Sequence, residues 1–366
     1  MEVALWGYYG TNYGDDIMMD VILSYFQEKG VKTKLIDIYG GNLEEKCQNK
    51  YKNLEVINYY KYTRLEKIQI TKQLASLDLN IWGGGTIFTD ADGDGNFNSF
   101  ATIKAFGGKI GYIGVGIGAL EKRSREFKTK YLLKRSEIVI FRDVNSLDRA
   151  IKYVNEKSFF EVSEDIAYSY FNSLKSIPNS KYNDYILLTW RNLVGYVSKD
   201  RELLLMDHVL EKAVGLVKEK EYSGVVLSAL DENFDHESCS ILEKKLKKLN
   251  VPVFYDKDSS ISNINSLIKN SAFHISGRLH GSIASEFFGV PTLSLSYSPK
   301  INYFYKSLES DCFYDIFSTA PIEDKLIDRI LNNNEKYDFS DKIKNSQKNF
   351  LLIERYSKDL IKNQKG

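Results

Sequence analysis

The chain has 366 residues, enough for roughly two domains at ~150 residues each, and its 43% hydrophobic and 27% charged residues are the balance of an ordinary globular fold. A formal net charge of +1 supplies no global field for a polyanion, which excludes nucleic acid as an expected partner. Three scattered cysteines (Cys47, Cys239, Cys312) form no disulfide framework, and four histidines (His208, His236, His274, His280) lack metal-ligand spacing, so a reducing cytoplasm and no bound metal are expected.

Residues 3–6 read as an apolar strand that runs into a glycine-rich turn, Gly7 to Asp16, and then a helix over 17–27. Gly30 ends that helix and residues 34–38 form the next strand, giving a βαβ unit. The spacing of Gly7, Gly10 and Gly14 is not that of a dinucleotide fingerprint, but glycines here let a backbone approach a ligand closely. Asn12 and Asp15 are placed either to bind a sugar hydroxyl or to cap the helix. Residues 77–82 form a third strand, and Gly83-Gly84-Gly85 at its carboxyl end again suits close approach. The segment 90–95 (DADGDG) lacks the later ligands of a calcium loop and reads as a polar loop. Strands follow at 109–116 and 138–141, the first trailed by basic Lys122, Arg123 and Arg125, the second by Arg142-Asp143. A short strand at 161–162 leads to Glu164-Asp165.

Residues 172–184 are polar, contain Pro178 and make the best linker. The α/β alternation then restarts, with strands at 185–189, 224–228 and 251–255 and helices at 202–220, to 249 and at 261–270. The expected organisation is a first Rossmann-like domain over 1–171, the linker, a second over 185–340 and a terminal helix over 341–366. The sheets are mostly parallel and face across a cleft, with ligand between their carboxyl edges. The nearly uncharged run at 110–120 is about half of the ~20 residues a membrane span needs, and Asp15 and Asp16 interrupt the first apolar stretch before any signal peptide forms. A cytoplasmic protein is expected, with peripheral contact at the inner face of the membrane left open.

The densest chemistry lies in residues 271–300. A short apolar strand over 272–276 meets Gly277, a helix spans 279–288, Gly289-Val290-Pro291 ends it, and a second strand covers 292–297. Arg278 and His280 then sit on a sharp turn at a strand's carboxyl end, where a guanidinium, an imidazole and helix N–H groups suit a small anionic ligand.

Several motifs stand in order along the chain: Gly7-Tyr8-Tyr9-Gly10 with Asn12 and Gly14-Asp15-Asp16, Trp82 to Thr86, Arg142-Asp143 with Ser146, Asp165-Ile166-Ala167 and Trp190-Arg191. The most specific block is Arg278-Leu279-His280-Gly281, Gly289-Val290-Pro291 and Tyr297-Ser298-Pro299-Lys300. Taken together in this order, they resemble the motifs of the polysaccharide pyruvyl transferase family. The resemblance implies a glycosyltransferase-B-like fold. It also implies transfer of a pyruvyl group from phosphoenolpyruvate, a co-substrate, to two hydroxyls of a sugar in a capsule, exopolysaccharide or cell-wall polymer. The products are a cyclic ketal and phosphate, and neither metal nor redox cofactor is needed.

The residues agree with that chemistry. Phosphoenolpyruvate needs convergent cations, which Arg191, Arg278 and Lys300 can supply, beside Leu279 in the same block. His280 suits a general acid toward the methylene carbon. Asp15, Asp16 and Asp165 are alternative bases, and Gly10, Asn12, Asp16, Gly84 and Gly85 are candidate contacts to the saccharide acceptor, free or lipid-linked. Two rivals stand beside this. One is a nucleotide-sugar glycosyltransferase of the same plan, with Glu286 holding a ribose; the other is an inactive binding subunit of a polymer-assembly complex.

Overall fold

The computed structural model describes residues 1–47, 49–90, 93–154, 160–333 and 337–363, with side chains to 356 in the last helix. The chain divides into two compact units. The first holds Met1–Gly10, Asp15–Ser173 and Phe339–Gly366; the second holds Thr11–Gly14 and Leu174–Asp338.

In chain order the elements that build the first unit are β1 (Glu2–Trp6), α1 (Tyr13–Glu28), β2 (Lys32–Ile36), α2 (Leu43–Cys47), β3 (Leu54–Ile57), α3 (Arg64–Leu74), β4 (Leu79–Gly83) and β5 (Thr86–Phe88). They continue as α4 (Phe97–Ala105), β6 (Ile110–Ile117), α5 (Arg123–Arg135), β7 (Ile138–Phe141), α6 (Val144–Tyr153), β8 (Phe160–Val162) and α7 (Ala167–Ser173). The strand order is β3-β2-β1-β4-β6-β7-β8, with β5 paired to β6, all parallel. Side chains alternate across the sheet as strand geometry requires. Ala4 and Trp6 of β1 join one core with Leu74, Phe100, Ile103 and Leu132. Val3 and Leu5 join the other with Ile22, Phe26, Phe350 and Ile353.

The second unit runs β9 (Tyr185–Thr189), α8 (Lys199–Glu219), β10 (Gly224–Ser228), α9 (His236–Lys248), β11 (Val253–Asp256), α10 (Ile261–Lys269) and β12 (Phe273–Ser276). It continues with α11 (Leu279–Phe288), β13 (Thr292–Ser296), α12 (Pro299–Lys306), β14 (Phe313–Asp315) and α13 (Asp324–Asn332). Its sheet, β11-β10-β9-β12-β13-β14, is also parallel. Both orders reverse beside the unit's first strand, at β1/β4 and at β9/β12, and such switch points are where open α/β sheets hold ligands. The last helix, α14 (Ser340–Asn363), belongs to the first unit, where the Tyr25 hydroxyl donates to the Phe350 carbonyl at 3.1 Å.

Some elements depart from the sequence expectation. α1 starts at Tyr13, four residues before the expected 17, because the Asn12 side chain accepts the Gly14 N–H and two carboxylates, Asp15 and Asp16, favour the first turn. Pro299 opens α12 directly after the second strand of the 271–300 block; its fixed φ suits the first helical position. Within 90–95, Ala91 and Asp92 lie outside the described residues. There Asp90 accepts the N–H groups of Glu121 and Lys122, and Asp94 holds Lys128 at 2.7 Å.

Candidate functional site

In the second unit the candidate residues gather at the carboxyl ends of β9, β12 and β13. Gly277 N–H donates to the Thr189 carbonyl at 2.7 Å, and a Cβ on Gly277 would stand 2.6 Å from the Arg191 amide nitrogen. Only glycine lets the two strand-end loops touch. Arg191, after β9, lays its guanidinium over the Tyr297 ring, with Cζ 4.4 Å from the centroid, and donates to the Tyr297 and Tyr196 hydroxyls at 3.4 and 3.1 Å. Lys300, in the first turn of α12, brings Nζ to 5.1 Å from the same ring. Tyr196 meets Tyr297 edge-on at 5.3 Å.

Tyr297 measures what these cations do. It is only 3% exposed, and burial alone pushes its phenol up; Lys300, Arg191 and Arg278 outweigh burial and bring it down to about 8. A buried spot that favours a phenolate favours any small anion. The helices α11 and α12 also begin here without a side-chain cap, so their first N–H groups add to the positive field.

Arg278 is held by two acidic residues of the same unit. Its Nε and Nη2 make a forked pair with Asp235 at 2.6 and 2.7 Å, and Nη2 lies 3.2 Å from Asp231. Burial lowers its pKa most, yet Asp235 and Asp231 more than reverse that, so it stays charged. The Nε–Nη2 edge of the guanidinium is therefore engaged by two carboxylates. Leu279 is buried at 7% exposure and packs in the core.

His280 is half-buried in the first turn of α11. Its ring packs on Gly14, where a Cβ would lie 1.8 Å from Nδ1. Residues Thr11–Gly14 reach this position because the Tyr13 N–H donates to the Leu230 carbonyl at 2.9 Å and the Tyr13 hydroxyl to Asn265 at 2.7 Å. Asn12 donates to Asp231 at 3.1 Å while accepting the Gly14 N–H at 2.9 Å, so of its two sequence readings the helix cap is the one observed.

Behind the site, His274 is fully buried and bonded to Thr189 Oγ1 at 3.0 Å and Ser285 Oγ at 2.6 Å. Burial pulls its pKa from 6.5 down to about 3. The unfolded chain thus takes up the proton first, so stability is full above about pH 6.5 and is lost as pH falls toward 3. This one group should cost about 2 kcal/mol by about pH 5. Urea unfolding of the wild type and His274→Gln at several pH values checks it: the variant profile should be flatter by that amount, and parallel profiles would exclude the effect.

In the first unit the Tyr9 hydroxyl donates to the Gly83 carbonyl at 2.7 Å and so ties the β1 loop to the β4 loop. Gly10, Gly84 and Gly85 all have positive φ (92°, 77° and 82°), a region that favours glycine. Asp16 is buried and accepts the Gly10 N–H. Asp165 is buried too, pairing with Arg142 at 3.2 Å and accepting the Ala167 N–H at 3.0 Å. Asp15 is the more exposed of the three, with Oδ1 3.2 Å from where a Gly85 Cβ would stand. Asp37 Oδ1 accepts the N–H groups of Tyr39, Gly40 and Gly41. That fixes Tyr39, which meets Tyr8 edge-on at 4.8 Å and is 49% exposed. Burial, then the charge of Asp15, pushes the Tyr39 phenol up.

Tyr8 and Tyr297 entered the sequence reading only as members of motifs, with no contact or chemistry assigned to them, and Tyr196, Tyr39, Asp231 and Asp235 had no role in it. Two carboxylates four apart, Asp231 and Asp235, give no sign in the sequence of an arginine 43 residues beyond the second. Glu286, the rival ribose ligand, accepts the Tyr305 hydroxyl at 2.9 Å, and burial raises its pKa to about 7.

Among solved structures the chain is similar to UDP-GlcNAc 2-epimerase from Methanocaldococcus jannaschii, at 11% identity and TM-score 0.66 over 98% of this chain and 99% of that one. UDP-N-acetylglucosamine 2-epimerase from Rickettsia bellii gives 13%, 0.66, 99% and 96%. Anabaena Alr3699/HepE, in complex with UDP and glucose, gives 9%, 0.56, 100% and 100%. At these identities the likeness is one of fold, the glycosyltransferase-B-like class with two mostly parallel sheets. No curated protein matches the chain. The family model of polysaccharide pyruvyl transferase matches residues 12–299, a span that opens at Asn12, takes in Arg191, Arg278, His280 and Tyr297, and stops one residue short of Lys300. On that match over most of its length, the chain belongs to the polysaccharide pyruvyl transferase family.

Proposed function

We propose that this protein transfers a pyruvyl group from phosphoenolpyruvate to two hydroxyls of one sugar in a cell-surface polysaccharide or its precursor. The observation that carries the reading is the convergence of Arg191, Lys300 and the charge of Arg278 on buried Tyr297. A carboxylate and a phosphate on a three-carbon frame are the kind of ligand that such a cluster stabilises. His280 delivers a proton to the methylene carbon, C2 becomes electrophilic, and one sugar hydroxyl adds to it. The C2–O bond to phosphate breaks, and the second hydroxyl closes the ketal. Of the two hydroxyl protons, one replaces that spent on the methyl group and the other leaves with phosphate. In the first unit Asp15 keeps the exposure a base needs, and the Tyr8–Tyr39 pair is a platform of the kind that packs against a pyranose ring. No metal enters this scheme.

Calorimetry with phosphoenolpyruvate tests the donor. Arg191→Ala and Lys300→Ala should each weaken binding by about tenfold or more, the loss of a charged hydrogen bond. Unchanged affinity in both would remove the cluster from the site. A phosphate-release screen against β-hexosides and N-acetylhexosamine glycosides then finds the acceptor, and release with any of them dismisses the inactive-subunit reading. The nucleotide-sugar reading draws on the UDP complexes among the structural neighbours. Thermal stabilisation by UDP-GlcNAc but not by phosphoenolpyruvate would favour it.

A further inference from the structure

One face of the first unit is built unlike an ordinary solvated surface. The helices α3, α4 and α5 form one layer on the sheet: all three supply the same core, through Leu74, Phe100, Ile103 and Leu132. Neighbours in the layer are stitched at their edges, where Lys72 lies over the Phe106 ring at 5.9 Å and Phe97 packs on Tyr131 at 5.4 Å. The outer side of this layer carries large apolar side chains in the open: Leu65 is 75% exposed, Phe127 63%, Ile68 48% and Phe106 44%. Leu65, Ile68 and Lys72 follow one another at helical spacing along the outside of α3, and Arg123, Phe127, Lys130 and Lys134 do so along α5.

The same layer is strongly basic in a chain whose net charge is only +1. On α5, Arg123, Arg125, Lys128, Lys130, Lys134 and Arg135 face a single acidic residue, Glu126. On α3, Arg64, Lys67 and Lys72 face Glu66, and α4 adds Lys104. Part of this charge is neutralised locally, by Asp94 on Arg125 and Lys128, by Glu126 on Lys130 and by Glu137 on Lys104. Arg64, Arg123 and Lys134 make no ion pair among the described residues.

We propose that the α3–α4–α5 face docks on an anionic lipid bilayer. Phe127 and Leu65 would enter the boundary between headgroups and acyl chains, and Arg64, Arg123 and Lys134 would meet lipid phosphates. Nucleic acid would use the charge but leave four apolar side chains in water. The apolar groups are interleaved with cations along α3 and α5, which suits a fluid interface better than a shaped protein partner. Lys72, whose Nζ lies 5.9 Å from the Phe106 ring centroid, can keep its charge at the headgroup level beside that ring. Among the described residues no helix is long and apolar enough to cross a membrane, so this contact is peripheral. It depends on none of the residues assigned to pyruvyl transfer.

Sedimentation of the full chain with vesicles tests it. The protein should pellet with equimolar phosphatidylcholine and phosphatidylglycerol, not with phosphatidylcholine alone, and release as salt is raised. Arg123→Glu with Lys134→Glu should lower the partition coefficient by about tenfold or more, and Leu65→Ser with Phe127→Ser should lower it comparably at low salt. All four side chains are exposed, so thermal midpoints should hold; Arg123→Gln with Lys134→Gln is the gentler pair if reversal disturbs folding. Failure of the wild type to bind the anionic vesicles overturns the proposal. So does equal binding by wild type and both variant pairs, or retention on single-stranded RNA without vesicle binding.

Discussion

Replacing Asp235 by alanine is expected to destabilise the second unit by about 3–5 kcal/mol, the cost of leaving a buried charge without its partner. The geometry makes this the largest single stability effect at the site. Asp235 is fully buried, receives two bonds from Arg278, and also accepts the Asn192 N–H at 3.3 Å. Asp231 lies 3.2 Å from the same guanidinium and cannot stand in, because it is itself committed to Asn12 and to the Asn233 N–H. Asp235→Asn keeps one acceptor oxygen and should cost less. Pairing Asp235→Leu with Arg278→Met should recover much of the loss, since a buried ion pair replaced by packed apolar groups is often near neutral. Urea unfolding followed by circular dichroism measures each arm. A loss within about 1 kcal/mol for Asp235→Ala would mean that water reaches the pair and that Arg278 is not a buried charge.

His280→Ala should lower phosphate release by about 10²–10⁴-fold, the usual worth of a positioned acid, with phosphoenolpyruvate affinity nearly unchanged. Gly14→Ala offers a second way to the same end. Gly14 sits inside α1 at an ordinary helical φ, so alanine there carries no backbone strain and would normally favour the helix. Its methyl group would instead occupy the space of the imidazole, 1.8 Å from Nδ1. The variant should therefore fold, bind donor and turn over slowly, with the loss in kcat rather than KM. Near wild-type turnover by His280→Ala would end the acid role. A Gly14→Ala enzyme of normal kcat would show that the ring can move aside without cost.

Much of this was legible in the chain because the informative residues sit where strands end. β1 and β9 are nearly continuous apolar runs, followed by Gly7 and by Trp190-Arg191, while β13 alternates leucine with serine and threonine before Tyr297, and the motifs fall on those ends. Arg191 and Lys300 are 109 positions apart in sequence, yet both follow strands of one parallel sheet, at its carboxyl edge, so their meeting could be expected from the doubly wound order. What could not be read depends on burial and on distant pairing. β3, β5 and β14 are short, and β3 is only half-buried, so their apolar pattern is weak. Asp16 and Asp165 look like Asp15 in sequence; only the structure shows that a loop N–H and Arg142 have engaged them. Tyr297 is one of 25 tyrosines, and although Lys300 follows it by three residues, nothing in its own neighbourhood announces that Arg191 from a distant loop lies over the same ring or that the charge of Arg278 acts on it.

The return of α14 to the first unit has a consequence for synthesis. Phe350 and Ile353 complete one of that unit's two cores, yet they are translated after the whole of the second unit. While the ribosome is still adding residues beyond Asp338, β9 to α13 are already available and can fold as a block. The first unit, although its strands emerge first, must wait with the α1 side of its sheet incompletely covered. Its Val3, Leu5, Ile22 and Phe26 are then the apolar surface most in need of a chaperone during that interval.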